Sequence, residues 1–254
     1  MSDQLVEFDV VDGVGTVVLA DPAHRNALSK RLSDELARAV ASVLDGGARA
    51  LVLRAEPPVF CSGGSLDSLL NPRHALAEMY AGYLALATAP VPTIAEVAGP
   101  AIGAGVNLPL ACDVILAGES ARFDPRFLDV GIHPGGGHLA RLARRIGEQG
   151  AAALILCGDV LTGREAQEHG LTWRCVPDAE LTETALRFAR RVASRSPELV
   201  RRTKQTLRDT AHLADLADAA RVELAAQQWS VEQPDFQRRV REIAERIAAR
   251  HGSG

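Results

Sequence analysis

The chain has 254 residues, 47% hydrophobic and 24% charged, with a formal net charge of −4, a composition that excludes disordered, fibrous and collagen-like classes. The slight acidity gives no long-range pull toward nucleic acid, so the basic spots at Arg141, Arg144, Arg145, Arg201, Arg202 and Lys204 read first as solvated helix faces, with contact to the phosphates of a bound nucleotide as the sharper alternative. No stretch approaches the roughly 18 apolar residues of a membrane span. Met1 to Glu7 carries an acidic residue where a secretory signal has basic ones. Cys61, Cys112, Cys157 and Cys175 are scattered without a Cys-x-x-Cys pair, which argues against a zinc ribbon or a disulfide framework and for a cytoplasmic protein.

Leu5 to Val11 and Val14 to Leu19 flank Asp12-Gly13, a dipeptide that reaches positive φ easily and predicts a hairpin. Beyond the loop Asp21 to Ala27, Leu32, Leu36, Val40, Val43 and Leu44 recur at helical spacing behind a potential Ser29 cap, which predicts a helix over about 29–45. Ala50 to Leu53, Thr93 to Val97 and Val114 to Ala117 are the short apolar runs of buried parallel strands. Helix-like stretches lie near 74–88, 104–111 and 137–157, and the alternation predicts an α/β architecture with right-handed crossovers. From about Asp178 onward helix follows helix. The last carries Phe236, Val240, Ile243 and Ile247 as an apolar stripe on an Arg/Glu-rich segment, which calls for a surface to cover, on the body or on another subunit. The expected division is a core over 1–190 and a C-terminal helical region over 191–254.

Two glycine clusters, Phe60-Cys61-Ser62-Gly63-Gly64 and Gly99 to Gly105 running on to Asn107, Cys112 and Asp113, are candidates for chemistry. Backbone N–H groups can be brought against a ligand oxygen only where side chains are tiny. A pair of such donors stabilises the charge that builds on a thioester carbonyl as an enolate forms, and one donor is typically worth about 10²–10³ in rate. A helix beginning at Ala104 would add the positive end of its dipole. Either cluster alone is more often a turn.

Together with Arg25-Asn26-Ala27-Leu28 before them and Gly131-Ile132-His133-Pro134-Gly135-Gly136-Gly137 after, these motifs resemble, in order and spacing, the crotonase (enoyl-CoA hydratase/isomerase) family. Leu161-Thr162-Gly163-Arg164-Glu165-Ala166 and Gly170-Leu171-Thr172 extend the likeness, which covers about residues 5–250. The resemblance implies a spiral of ββα turns, assembled as a homotrimer or dimer of trimers through the C-terminal helices. It implies an acyl-coenzyme A thioester as substrate and no tightly bound cofactor. It places the oxyanion-hole donors at Gly64 and Ala104, and the clamp on coenzyme A around Arg25, Ala27, Ser62, Gly64 and Leu66.

The sequence departs from the family pattern where the chemistry is done. Hydratases of the family use two glutamates, and the motifs put Asn107 and Phe127 at those positions. Neither exchanges a proton at neutral pH, and a positioned acid or base usually supplies about 10²–10⁴ in rate. Ordinary hydration is therefore expected to be weak or altered. Asn107 can orient a group by hydrogen bonding or merely cap its own pocket. Ser65, where many members carry an acid, reads as a loop organiser, a role Asp67 can share. Replacement acids or bases are sought in the segment before and around the triple glycine, with Asp129 and His133 ahead of His138 and Asp124, and Arg126 as a partner for a substrate carboxylate.

Other readings fail on pattern. Gly103-Ala104-Gly105-Val106-Asn107-Leu108 lacks the third small residue of a dinucleotide fingerprint. Ser62 lacks the flanking glycine of a nucleophile elbow, and the seven histidines form no metal-ligand spacing. Two functions stand: a lyase or isomerase that stabilises a thioester enolate with unusual acid/base groups, and a non-catalytic acyl-CoA binding protein on the same scaffold.

Overall fold

The computed structural model describes residues 4–70, 74 and 76–251, the side chains of Leu66 and of residues 249–251 excepted. These residues divide into two compact units, Met1–Ala193 and Ser194–Gly254.

The first unit opens with β1 (Val6–Val11) and β2 (Val14–Leu19), antiparallel around Asp12 and Gly13. Both turn residues have positive φ, 52° and 78°, as a tight two-residue hairpin requires. The Ser29 hydroxyl caps α1 (Lys30–Asp45) by accepting from the Leu32 N–H at 3.1 Å, and Leu32, Leu36, Val40 and Val43 form its buried stripe. Next come β3 (Ala50–Ala55), α2 (Leu66–Leu70), a 3₁₀ turn over Leu76–Tyr80 and α3 (Ala81–Thr88). Two successive strand-strand-helix turns follow: β4 (Thr93–Val97), β5 (Pro100–Ile102) and α4 (Asn107–Ala111), then β6 (Val114–Gly118), β7 (Arg122–Asp124) and α5 (His138–Leu156). The unit closes with β8 (Leu161–Thr162), α6 (Gly163–Glu168), β9 (Arg174–Val176) and α7 (Asp178–Ala193).

The larger sheet has the order β1-β2-β3-β4-β6-β9 and is parallel from β2 onward, while β5-β7-β8 form a small second sheet. Because side chains alternate along a strand, β3 is buried on both faces. Leu51 and Leu53 meet the α1 stripe, whereas Ala50 and Val52 join Ile94, Leu116 and the Leu181, Ala185 and Ala189 face of α7. The continuous apolar runs that predicted β3, β4 and β6 reflect this double burial.

Two helices differ from their sequence-based expectation. The stretch near 104–111 begins as a 3₁₀ turn over Gly103–Val106 before α4 proper. The stretch near 137–157 is interrupted at Gly147, whose φ of 74° and ψ of 169° break the helical path inside α5.

In the second unit, α8 (Pro197–Thr210), α9 (Leu216–Val231) and α10 (Pro234–His251) follow one another. The Arg202 guanidinium stacks 4.0 Å over the Trp229 ring and joins α8 to α9. Phe236, Val240, Ile243 and Ile247 on α10 are each about half exposed. No helix among the described residues is long and apolar enough to cross a membrane.

Candidate active site

Three loops converge, and backbone hydrogen bonds lace them together. Arg25 and Asn26 take the left-handed conformation, with φ of 55° and 52°, which asparagine tolerates better than most residues. The Asn26 side chain is wholly buried; its Nδ2 donates to the carbonyls of Glu56 (3.0 Å) and Val59 (2.8 Å), and its Oδ1 accepts from the Asp21 N–H at 2.9 Å. That anchor presents the next residues to the first glycine loop. Ser62 N–H donates to Arg25 O (3.1 Å), Leu28 N–H to Gly63 O (2.7 Å) and Ser65 N–H to Leu28 O (2.9 Å). Asn26→Ala removes three hydrogen bonds of a buried amide and leaves two carbonyls and the Asp21 N–H without it, and the expected cost is about 3 kcal/mol in chemical denaturation. Ser65 caps α2, its Oγ accepting from Ser68 N–H at 3.2 Å, so it organises the loop as its position suggested.

The second glycine loop crosses the first. Cys61 N–H donates to Pro100 O at 3.2 Å and Ile102 N–H to Cys61 O at 2.9 Å. The crossing leaves no room for side chains. A Cβ on Gly63, whose φ is +90°, would lie 2.7 Å from Ile102 O, and one on Gly105 would overlap the Cys61 carbonyl. Gly63 and Ala104 are thereby neighbours, a Gly63 Cβ falling 3.6 Å from the Ala104 nitrogen. Ala104 is the second residue of its 3₁₀ turn, so its N–H precedes the first intrahelical bond. No loop carbonyl or side chain among the described residues accepts from the N–H of Ala104 or Gly64. Burial pushes the Cys61 thiol up to about 12, which rules it out as a thiolate nucleophile at neutral pH.

Asn107 follows one turn after Ala104 and is 4% exposed. Its Nδ2 donates to Gly135 O at 3.4 Å, and its Oδ1 lies 2.7 Å from His138 Nδ1. His138, the first residue of α5, is fully buried, and the edge of its ring meets Phe127 with centroids 4.9 Å apart and planes at 68°. The two positions that depart from the family pattern thus meet at one histidine. Burial lowers its pKa from 6.5 to about 4, so it is neutral at physiological pH. The chain's two tyrosines press against the same segment: a Cβ on Gly136 would lie 2.7 Å from the Tyr83 hydroxyl, and one on Gly135 would overlap the Tyr80 hydroxyl. The Arg141 guanidinium lies 5.5 Å from the Tyr83 ring centre.

Asp129 and His133, the leading acid/base candidates from sequence, are both exposed. His133 Nδ1 bonds the carbonyl of Pro134 at 2.8 Å. Asp124 is buried and pairs with Arg126, which occupies the guanidinium that was considered for a substrate carboxylate. Arg145 reaches inward to donate to Cys112 O at 2.5 Å and is not part of a solvated face. Arg25, Ala27, Ser62 and Gly64 lie on the laced loops; the Leu66 side chain lies outside the described residues. The sequence reading ranked His138 low and did not single out Tyr80 or Tyr83. No group of three or more His, Cys, Asp or Glu side chains among the described residues is placed to hold a metal ion.

The sequence model of the enoyl-CoA hydratase/isomerase family matches residues 9–253. The chain belongs to the enoyl-CoA hydratase/isomerase family. Among its relatives, the probable enoyl-CoA hydratase EchA14 of Mycobacterium tuberculosis is 36% identical over 240 residues, 89% of this chain and 92% of that one. The 2,3-dehydroadipyl-CoA hydratase of Escherichia coli is 33% identical over 205 residues, 78% of this chain and 79% of that one. The crystal structure of an enoyl-CoA hydratase from Bacillus anthracis superposes with a TM-score of 0.89 at 29% identity, covering 96% of this chain and 97% of the other. Human enoyl coenzyme A hydratase domain-containing protein 3 gives 0.89 at 28% identity, over 95% and 98%. The repeated strand-strand-helix turns are thus the spiral of the crotonase fold. In this member of the enoyl-CoA hydratase/isomerase family, the glycine loops are accompanied by a neutral Asn107-His138 pair.

Proposed function

We propose that the protein binds acyl-CoA thioesters and stabilises the thioester enolate for a lyase or isomerase step, with ordinary hydration weak or altered. The observation that carries this reading is the crossing of the two glycine loops, which leaves the N–H groups of Gly64 and Ala104 without acceptors among the described residues, beside backbone too tight for any side chain. Two such donors act on an enolate oxygen without reorganising during reaction. Arg25, Ala27, Ser62 and Leu66 would clamp the coenzyme A portion, as their match to the family motif implies, in a cytoplasmic homotrimer or dimer of trimers. The exposed stripe on α10 supports the assembly, since about half of each apolar side chain is uncovered.

A second reading, an acyl-CoA binding protein without turnover, is favoured by one observation: neither Asn107 nor Phe127 has a side chain that can serve as an acid or base, and Asp129 and His133 stand exposed. Exchange of the α-protons of butyryl-CoA into deuterated water separates the two. On the enzyme reading the wild type exchanges, and Ala104→Pro, which deletes one N–H at a position where a helix start accepts proline, slows exchange by about 10²–10³. Binding without any exchange supports the second reading instead, and absence of binding overturns both.

A further inference from the structure

We propose that Asp178 is a positioning residue for the second donor of the thioester site, acting through Ser120 on Gly99, the residue from which the loop to Ala104 departs. The inference rests on the thioester reading above and adds to it a side chain that lies outside both glycine loops.

Gly118, the last residue of β6, has a φ outside the left-handed region, so its backbone does not call for glycine. Space does. A Cβ there would overlap Oδ1 of Asp178, the first residue of α7, where a carboxylate suits the positive end of the helix dipole. Seated in that gap, Oδ1 accepts from the N–H of Ser120 at 3.2 Å and from its hydroxyl at 2.9 Å. A hydroxyl has one hydrogen to give, and the carboxylate takes it. The Ser120 oxygen keeps its lone pairs, and it accepts from the Gly99 N–H at 3.0 Å. Carboxylate, hydroxyl and amide thus form a chain with one direction, in which each bond polarises the next.

The far end of this chain bears on the site. Gly99 is buried, and its N–H has no other acceptor among the described residues. Leaving a buried N–H unpaired costs free energy, so the bond fixes where Gly99 stands. The Gly99 carbonyl in turn accepts from the Arg122 N–H at 3.3 Å, and the connection between β6 and β7 grips this residue on both sides. Only β5 (Pro100–Ile102) and Gly103 lie between the anchor and Ala104. A shift at one end of so short a strand reaches the other, and a misplacement of about 1 Å can cost about 10²-fold in rate. The two hydrogen bonds to Cys61 steady the middle of the strand, which leaves a smaller share of that loss to Gly99. Ser120 and Asp178 are themselves exposed, where substitutions disturb overall stability little.

Three substitutions open the chain at different links. Ser120→Ala removes the hydroxyl, Asp178→Ala removes the carboxylate, and Gly118→Ala keeps both but sets a methyl where the carboxylate lies. In each, the rate of α-proton exchange of butyryl-CoA at saturation is expected to fall about tenfold, with affinity for the ester within about twofold of wild type. Ser120→Thr, which retains a hydroxyl, is expected to keep the rate within about twofold. A role confined to stability would leave the saturated rate of the folded protein unchanged, and that result for Ser120→Ala and Gly118→Ala overturns the proposal. Hydrogen exchange at the Gly99 amide reads the chain without a ligand: it is expected to quicken by about tenfold or more in all three variants, and unchanged protection overturns the assignment. If the wild type neither binds butyryl-CoA nor exchanges its α-protons, the thioester reading fails and the role of Asp178 falls with it; a Gly99 amide that still loses protection in the variants then marks that reading as the part that failed.

Discussion

Replacing Gly105 by alanine is expected to lower the melting temperature of the Met1–Ala193 unit by about 5–10 °C and to remove thioester chemistry with it. The added methyl meets the Cys61 carbonyl, main-chain atoms held by two hydrogen bonds to the Pro100–Ile102 strand, so it cannot be relieved by a side-chain rotation. Overpacking of this kind costs about 1–3 kcal/mol or more, and for a unit of this size each kcal/mol moves the midpoint by about 2–4 °C. The loops must part for the chain to fold at all. On the thioester reading that separation moves the Ala104 N–H away from its partner donor, and α-proton exchange falls by about 10²-fold even below the melting temperature. Calorimetry and the exchange assay read the two effects separately; a Gly105→Ala protein with unchanged melting and exchange would contradict the crossing described above.

The largest effect of pH on stability is expected from His138. Its pKa in the folded protein is about 4 against an ordinary 6.5, because burial disfavours the charged ring. Between those values the unfolded chain takes up a proton that the folded chain refuses. The stabilisation is therefore complete above about pH 6.5, declines as the pH falls, and is gone once the pH passes below about 4. A gap of that width, at about 1.4 kcal/mol per pH unit, corresponds to about 3 kcal/mol. Urea denaturation of the wild type and of His138→Gln across pH 4–7 isolates it, since the carboxylates titrate in both proteins and the histidine in one. Parallel stability curves for the two would remove His138 from the account.

How much of this was legible in the sequence depended on the range of the interactions. α1 was legible because its cap, Ser29, and its stripe, Leu32 to Val43, are local. β3, β4 and β6 were legible because burial on both faces writes itself as an unbroken apolar run. β5, β7, β8 and β9 are two or three residues long, too short for any periodicity to register, and their existence depends on partners far along the chain. The laced loops were found through glycines whose spacing matches a family, although which carbonyl each glycine admits is visible only in the fold. His138 illustrates the limit. Its bond to Asn107 spans 31 positions, and nothing in the neighbouring sequence announces that partner. One signal was available, since His138 stands four residues before the buried Leu142 and so on the inward face of α5. Another was scarcity, as Tyr80 and Tyr83 are the chain's entire complement of tyrosine and both lie at the site.

The order of strands in the larger sheet has a consequence for the way the protein comes into being. β1, β2, β3, β4, β6 and β9 stand side by side in the same sequence in which they are synthesised, so each arriving strand finds its edge already waiting and the sheet can lengthen while the chain is still emerging from the ribosome. The site follows a different timetable. Its parts stretch from Arg25 to His138, and the Asn107 side chain has no imidazole to receive until the start of α5 has been made. A nascent chain can therefore carry most of its sheet and both glycine loops for the time taken to translate some thirty further residues, about 2–6 s at common elongation rates, before the polar pair behind them is complete.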